Sequence, residues 1–384
     1  MVEPLPVIEK DKLLFISSSA DISRVINADS GYTRWFLWHN VTAYDISKFV
    51  KDNVFQFNGY KLSLNNWFEP TPWVYGRIVT DLEEYVDFLY KSIGDKISGK
   101  KLLLSYSGGK DSTASLLILL KLLEKIDFKL HVLYVYMPYL EPQYNIRFIE
   151  NVSKRLNVEI HMINPPRDIM KKYLLKEGLP YRRGRWCTYL KTRPIRDYVK
   201  KHGIDILVIG DRLWEATKRF YRLLPRVLSK IMLQGKKLYI IAPLTLLDVI
   251  NIVKEHNIVH PDYLHGAIRV SCYYCPYKSI FELNLLKPDV EDHGFIEEVI
   301  KYEWIKWYRK NISLEDFIEN HLWRFIPSVA KLFLKAKEKA KQISDKTISL
   351  KDIVYYNTYV WRNEIKAPVL NYDQLSKHIL SNTI

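Results

Sequence analysis

Between residues 101 and 209 short apolar runs alternate with amphipathic ones, and few architectures accept that alternation. Lys101 to Tyr106 reads as a buried strand, and Ser112 to Lys125 as a helix carrying Leu116, Leu119, Leu120 and Leu123. His131 to Met137 predicts a second strand, Pro142 to Leu156 a helix, and Val158 to Ile163 a third strand. A helix from about Thr192 to His202 then leads into a strand over Asp205 to Ile209. Strands separated by helix-length segments cannot pair as hairpins. They predict an α/β fold: a parallel sheet with helices on both faces, and ligands at the C-terminal ends of its strands.

Three regions are expected around this pattern. Residues 1–75 carry apolar-aromatic runs, Lys12 to Ser17, Thr33 to His39 and Val54 to Leu64, separated by turn signals such as Asn58-Gly59. They predict a small, partly β N-terminal domain, with Pro70 and Pro72 near its end. Residues 76–285 hold the α/β pattern, preceded by helical periodicity from Asp81 to Ile93. Residues 286–384 read as a helical, aromatic C-terminal region with an amphipathic helix over Val329 to Ile343 and a loosely ordered last twenty residues. No run of about 18 apolar residues occurs, which argues against a membrane-spanning helix. The segment Met1 to Lys12 lacks the continuous apolar stretch of a signal peptide, so the default compartment is the cytoplasm.

The first strand of the alternation ends in Ser107-Gly108-Gly109-Lys110-Asp111-Ser112. Two glycines allow a tight turn and a close backbone approach to a ligand. The free N–H groups and positive end of the following helix favour an anion. Ser107 and Ser112 offer hydroxyl donors, and Lys110 a point charge. Asp111 is out of place in a pure anion site and makes sense as a Mg²⁺ ligand. The spacing differs from the G-x-x-x-x-G-K-[ST] phosphate loop. Gly210 falls after the later strand, and Ser105, Tyr134 and Arg219 complete the expected nucleotide-binding set. Arg212 and Arg219 lie seven apart, which on a single helix would put both guanidinium forks on one face toward phosphate or sulfate oxygens. Asp111, Lys110 and Arg212 are the candidate catalytic residues. Glu215 reads as an orienting partner for an arginine.

The S-G-G-x-D-S motif after a strand resembles the pyrophosphate loop of the N-type ATP pyrophosphatase (PP-loop) superfamily. The resemblance implies an adenine nucleotide α-hydrolase-like fold, with ATP split between its α- and β-phosphates to adenylate a substrate. Further segments resemble the phosphoadenosine-phosphosulfate reductase family in its archaeal form. These are Arg185-Trp186-Cys187-Thr188 with Lys191 and Pro194, then Gly210-Asp211-Arg212, then Pro243-Leu244 and Asp248-Val249, and then His260-Pro261, Tyr263, Gly266, Arg269 and Cys272-Tyr273-Tyr274-Cys275-Pro276. The resemblance covers about 100 to 285. Two departures stand out. No cysteine follows Cys275, so the C-terminal thiol nucleophile of the classical reductases is missing. The Asp-Thr-Gly after the second strand is replaced by Met137-Pro138-Tyr139, which weakens expected ribose or Mg²⁺ contacts there.

Three cysteines, Cys187, Cys272 and Cys275, do not make a secreted disulfide framework. They are candidate metal ligands, for a [4Fe–4S] cluster with an open iron or for Zn²⁺ with a fourth ligand such as His265. A redox thiol pair and plain burial are the other readings. The net charge of +15 is concentrated: Arg167 to Lys237 holds 20 Lys or Arg against 6 Asp or Glu. That excess suits a polyanionic partner, and tRNA is the candidate nucleic acid. Three functions follow as expectations. The first is ATP-dependent adenylation coupled to sulfur transfer on RNA, with an external sulfur donor. The second is reduction of adenylyl sulfate or its 3′-phosphorylated form, with a thioredoxin-like reductant. The third, a non-enzyme, is a nucleic-acid-binding or nucleotide-sensing module.

Overall fold

The computed structural model describes residues 3–64 and 75–371. The chain opens with an antiparallel meander: β1 (Leu5–Glu9), β2 (Lys12–Ser19), β3 (Ile22–Asn27), β4 (Thr33–His39) and β5 (Thr42–Asp45). Lys10 and Asp11 both take positive φ, as the two-residue turn joining β1 to β2 demands. Three short strands, β6 (Val50–Lys51), β7 (Val54–Phe57) and β8 (Tyr60–Ser63), form a separate small sheet.

The second large sheet holds β9 (Lys101–Ser105), β10 (Lys129–Val135), β11 (Ile160–Ile163), β12 (Ile206–Val208), β13 (Leu233–Gln234) and β14 (Lys237–Leu238). Their spatial order is β11-β10-β9-β12-β14-β13, parallel except for the β13–β14 hairpin. The helix Lys110–Leu123 covers one face, with Leu82–Ile97 and Leu246–Glu255 packed on it. The helix Trp186–His202 covers the other, placing Tyr198 against Leu103 and Leu133. This is the α/β architecture expected, with helices on both faces. The chain leaves β9 toward β10 and β11, then returns to the opposite side at β12. The crevice beyond the ends of β9 and β12 is therefore a topological switch point.

A last strand, β15 (Thr347–Ser349), pairs antiparallel with β5 and extends the N-terminal sheet. Residues expected in a C-terminal helical region thus share a sheet with residues expected in an N-terminal domain. One face of that sheet packs Trp38 on Phe281, ring centroids 5.2 Å apart, together with Ile353. At the β2–β3 turn, Asp21 is fully buried and paired with Arg324 (2.6 Å) and Lys337 (2.5 Å) from the C-terminal helices. Residues 372–384, most of the expected loose tail, lie outside the described residues, as do Pro70 and Pro72. Among the described residues no helix is long and apolar enough to cross a membrane.

Candidate functional site

The strand β9 ends at Ser105, and the helix starts at Lys110 with Gly109 as its N-cap. Between them Gly108 sits at φ +73°, a conformation that L side chains rarely adopt. A Cβ there would touch His260, Ile149 and Phe148, each at 3.4 Å, so the turn is also closely packed. Ser112 locks the turn: its hydroxyl donates to the Gly109 carbonyl (2.9 Å) and accepts from the Ser107 N–H (3.2 Å). The Ser107 and Ser112 hydroxyls are 3.1 Å apart. The Lys110 N–H donates to the Tyr263 hydroxyl at 3.0 Å. Asp111 and Ser112 follow in the first helical turn, where N–H groups have no intrahelical acceptor. The loop is therefore a shaped backbone cradle with its donors at a helix start.

Asp111 does not face an open coordination site. Its Oδ2 is 2.9 Å from Lys110 Nζ and its Oδ1 is 2.5 Å from Arg212 Nε. Burial works against its charge, but Arg212 and Lys110 outweigh that and hold the carboxyl well below the usual range. Both oxygens are engaged by cations, so a Mg²⁺ ion does not fit here without displacing one of them.

Arg212 is fully buried, and its two terminal nitrogens bond both oxygens of Glu3, at 2.9 and 2.5 Å. Its fork is thus filled by carboxylates of the protein. Arg212 and Arg219 do not share a helix face. Ala216 is extended, at φ −163° and ψ 145°, and the helix Thr217–Leu228 starts only after it. Arg219 pairs instead with Asp211 (3.2 Å) and Glu215. Glu215 also accepts the Arg212 N–H at 2.9 Å, so it does hold arginines in place. Ser105 is exposed at the strand end, and Gly210 follows β12 with the Ser115 hydroxyl nearby. Tyr134 lies in the interior, its hydroxyl 2.5 Å from Glu141.

Cys187, Cys272 and Cys275 are half-buried free thiols within electrostatic reach of one another. Cys272 directs its sulfur at Glu141 (3.9 Å), and Cys275 accepts from Arg269 Nη2 (3.6 Å). Among the described residues no group of three His, Cys, Asp or Glu side chains is arranged to hold a metal ion. Two of the three expected metal ligands, Cys272 and Cys275, are thus turned to different partners here. His265 is exposed at the end of the helix Pro261–Leu264. Burial raises the Cys187 thiol, and burial with Glu141 raises Cys272 further. Cys275 goes the other way. Burial opposes its charge, but Arg269, the Tyr277 N–H, Lys278 and Arg185 outweigh it and lower the thiol. Cys275 is the most readily ionised of the three.

Sequence reasoning missed the carboxylate of Glu3, which lies 209 residues from Arg212 and carries no local signal. It also missed Glu141 as the centre of a buried network. Glu141 accepts from Tyr134, Asn145 Nδ2 (3.0 Å) and the Met137 N–H (3.2 Å). A lone buried acid between a strand and a helix was the only available clue. His260 is neutral and structural. It caps its short helix through the Asp262 N–H and meets Asn145 at 3.1 Å, and burial pushes its pKa down to about 4.

Residues 101–278 match the phosphoadenosine phosphosulfate reductase domain. Two uncharacterized proteins of Methanocaldococcus jannaschii are similar. One is 26% identical over 182 residues, 45% of this chain and 40% of the relative. The other is 25% identical over 280 residues, 65% of this chain and 54% of the relative. The matches thus span about half the length of these curated relatives. Among solved structures, the U34-tRNA thiolase NcsA from Methanococcus maripaludis with its [4Fe-4S] cluster aligns at 14% identity and a TM-score of 0.35, covering 75% of this chain and 90% of that one. An NAD+ synthetase from Burkholderia pseudomallei aligns at 15% identity and a TM-score of 0.31, covering 60% and 93%. Residues 101–278, with their glycine loop at the switch point of a parallel sheet, are thus similar to the phosphoadenosine phosphosulfate reductase domain over a little under half of the chain.

Proposed function

We propose that this protein is an ATP-dependent adenylating enzyme that couples activation of an acceptor to sulfur transfer, with RNA as the acceptor class. One observation carries the reading. The Tyr263 hydroxyl bonds the Lys110 N–H at 3.0 Å, tying the phosphate loop to the segment that continues to Cys272 and Cys275. The same segment brings Val270, two residues before Cys272, to within 3.8 Å of where a Cβ at Gly109 would lie, which supports reading cradle and thiols as one site.

In this reading an acceptor oxygen attacks the α-phosphorus of ATP, and the bond to the bridging oxygen breaks. Pyrophosphate leaves into the loop, where the helix N–H groups and the Ser107 hydroxyl stabilise its growing charge while Ser112 holds the turn through the Gly109 carbonyl. Lys110 supplies a cation, kept charged because Asp111 outweighs the cost of its burial. Cys275 is the thiol best suited to carry sulfur, since its cationic surroundings favour the thiolate. The outer sulfur of a Cys275 persulfide, passed on from an external persulfide donor, attacks the activated carbon, and AMP departs with the former acceptor oxygen. An external dithiol then attacks the sulfur of Cys275, breaks the S–S bond, releases the thiolated acceptor and, as it closes to its own disulfide, returns Cys275 to the thiol. The concentration of Lys and Arg between 167 and 237 supports a polyanionic acceptor.

Incubation with ATP, Mg²⁺, bulk tRNA and a persulfide donor with a dithiol tests the reading. AMP and pyrophosphate are the expected products. ADP and phosphate would overturn it, and so would release of sulfite from adenylyl sulfate in place of ATP cleavage.

A further inference from the structure

Three arginines from two separate segments converge on one ring. The guanidinium carbons of Arg182 and Arg185 lie 5.1 Å from the Tyr277 ring centroid, and that of Arg269 lies 5.8 Å away. Tyr277 closes the arrangement from its far end, donating its hydroxyl to the Arg182 carbonyl at 3.2 Å. None of the three makes an ion pair with a carboxylate among the described residues. The Nε and Nη2 atoms of Arg182 are buried without a hydrogen-bond partner among the described residues. Next in sequence to Tyr277, Lys278 is fully buried, and its Nζ has no hydrogen-bond partner among the described residues either.

Nearby acids do not balance this charge. Asp21 lies within electrostatic reach of Arg182, but its oxygens are held by Arg324 and Lys337. Glu141 is engaged by Tyr134, Asn145 and the Met137 N–H. Stacking on Tyr277 and Phe325 offsets part of the cost of crowding the arginines. It does not supply acceptors for buried N–H groups, and a buried charge without a partner is strongly unfavourable. The cluster opens to solvent at Arg185 and Tyr277, and it borders the sulfur of Cys275 through Arg269 at 3.6 Å.

We propose that Arg182, Arg185 and Arg269, gathered around Tyr277, form a binding site for a tetrahedral oxyanion, a phosphate or sulfate group held against Cys275. Guanidinium forks suit such a group, because it presents several acceptor oxygens to donors arriving from different directions. The unpartnered ammonium of Lys278 adds a field that water screens little. The group is either a free inorganic anion or a phosphate of the RNA acceptor. The inference rests on the proposed function only in treating Cys275 as the reactive thiol, and its test contains no ATP.

Alkylation of Cys275 by iodoacetate and by iodoacetamide, located by mass spectrometry, reads the site directly. The anionic reagent is drawn to an oxyanion site and the neutral one is not. The iodoacetate-to-iodoacetamide rate ratio at Cys275 is expected to exceed that at Cys187 at least tenfold. It should fall toward the Cys187 value in Arg185→Gln, an exposed position where the fold is retained, and in Arg269→Gln. Millimolar sulfate or phosphate, but not chloride at matched ionic strength, should slow the iodoacetate reaction if the natural ligand is a free anion. Protection by a short oligoribonucleotide at far lower concentration would assign the site to the acceptor's phosphate. Equal ratios at the two cysteines, or no protection by any of these anions, would overturn the proposal. Failure of ATP cleavage with a high ratio at Cys275 would leave the anion site standing and remove the adenylation reading alone.

Discussion

Arg212 Nε lies 2.5 Å from Oδ1 of Asp111, while the rest of the same guanidinium is held by Glu3 from the start of the chain. The charged residue of the phosphate loop is therefore anchored through an arginine to the N-terminal segment. Replacing Glu3 by Gln leaves a fully buried guanidinium with one carboxylate where it had two. Removing one partner of a buried pair costs about 3–5 kcal/mol. We expect a loss toward the lower end for Glu3→Gln, read as a lower urea midpoint at unchanged slope. Because the altered contact reaches Asp111, ATP affinity should fall in parallel. Unchanged stability would show that Glu3 is not a structural partner of the loop.

Tyr263→Phe removes the hydroxyl that meets the Lys110 N–H and the Val270 backbone and keeps the ring stacked on Trp361, with centroids 4.5 Å apart. A single neutral hydrogen bond contributes about 0.5–1.5 kcal/mol. ATP binding measured by calorimetry should therefore weaken by roughly two- to tenfold. Global stability should change little. A variant that binds ATP as tightly as the parent would show that the loop holds its shape without Tyr263.

The parts legible in the sequence are those that local chemistry encodes. The strand–Gly108-Gly109–helix unit rests on contiguous residues, and its strand and helix form where periodicity puts them, the helix starting two residues earlier at Lys110. The helix predicted from Thr192 starts at Trp186, because the apolar face of its first turn is met by Tyr173 from the preceding helix. What stayed hidden depends on distant partners. Glu3 reaches Arg212 across 209 residues and Tyr263 reaches Lys110 across 153. The three-residue β15 owes its existence to the edge of β5 and not to any pattern of its own. The seven-residue spacing of Arg212 and Arg219 misled because spacing has meaning only within one continuous helix, and Ala216 interrupts this one.

Cys275 should react before the other two thiols. Burial works against ionisation at all three, but only at Cys275 do Arg269, the Tyr277 N–H, Lys278 and Arg185 overcome it. Thiolate is the reacting species. Limited iodoacetamide at pH 7.5, followed by peptide mapping, should label Cys275 first. Arg269→Gln should slow that labelling and leave Cys187 unaffected. Initial labelling of Cys272 would contradict the electrostatic account.

Glu303 gives the fold a pH dependence separate from the site. It is buried against Gly178, accepts the Leu179 N–H at 3.1 Å, and pairs with no cation among the described residues. Burial pushes its pKa from 4.5 up to about 8, with the Leu179 N–H opposing weakly. The folded state therefore binds a proton that the unfolded state has released between these two values. Its contribution to stability is fully present below about pH 4.5 and is lost as pH rises through about 8. Glu303→Gln keeps an acceptor for Leu179 and removes the titration. The parent should lose stability between pH 5 and 8 relative to this variant, and the difference should level off above pH 8. Urea midpoints of the two proteins across that range check the sign directly. A parent that gains stability on the variant as pH rises would mean that Glu303 is ionised in the folded protein and paired with a cation.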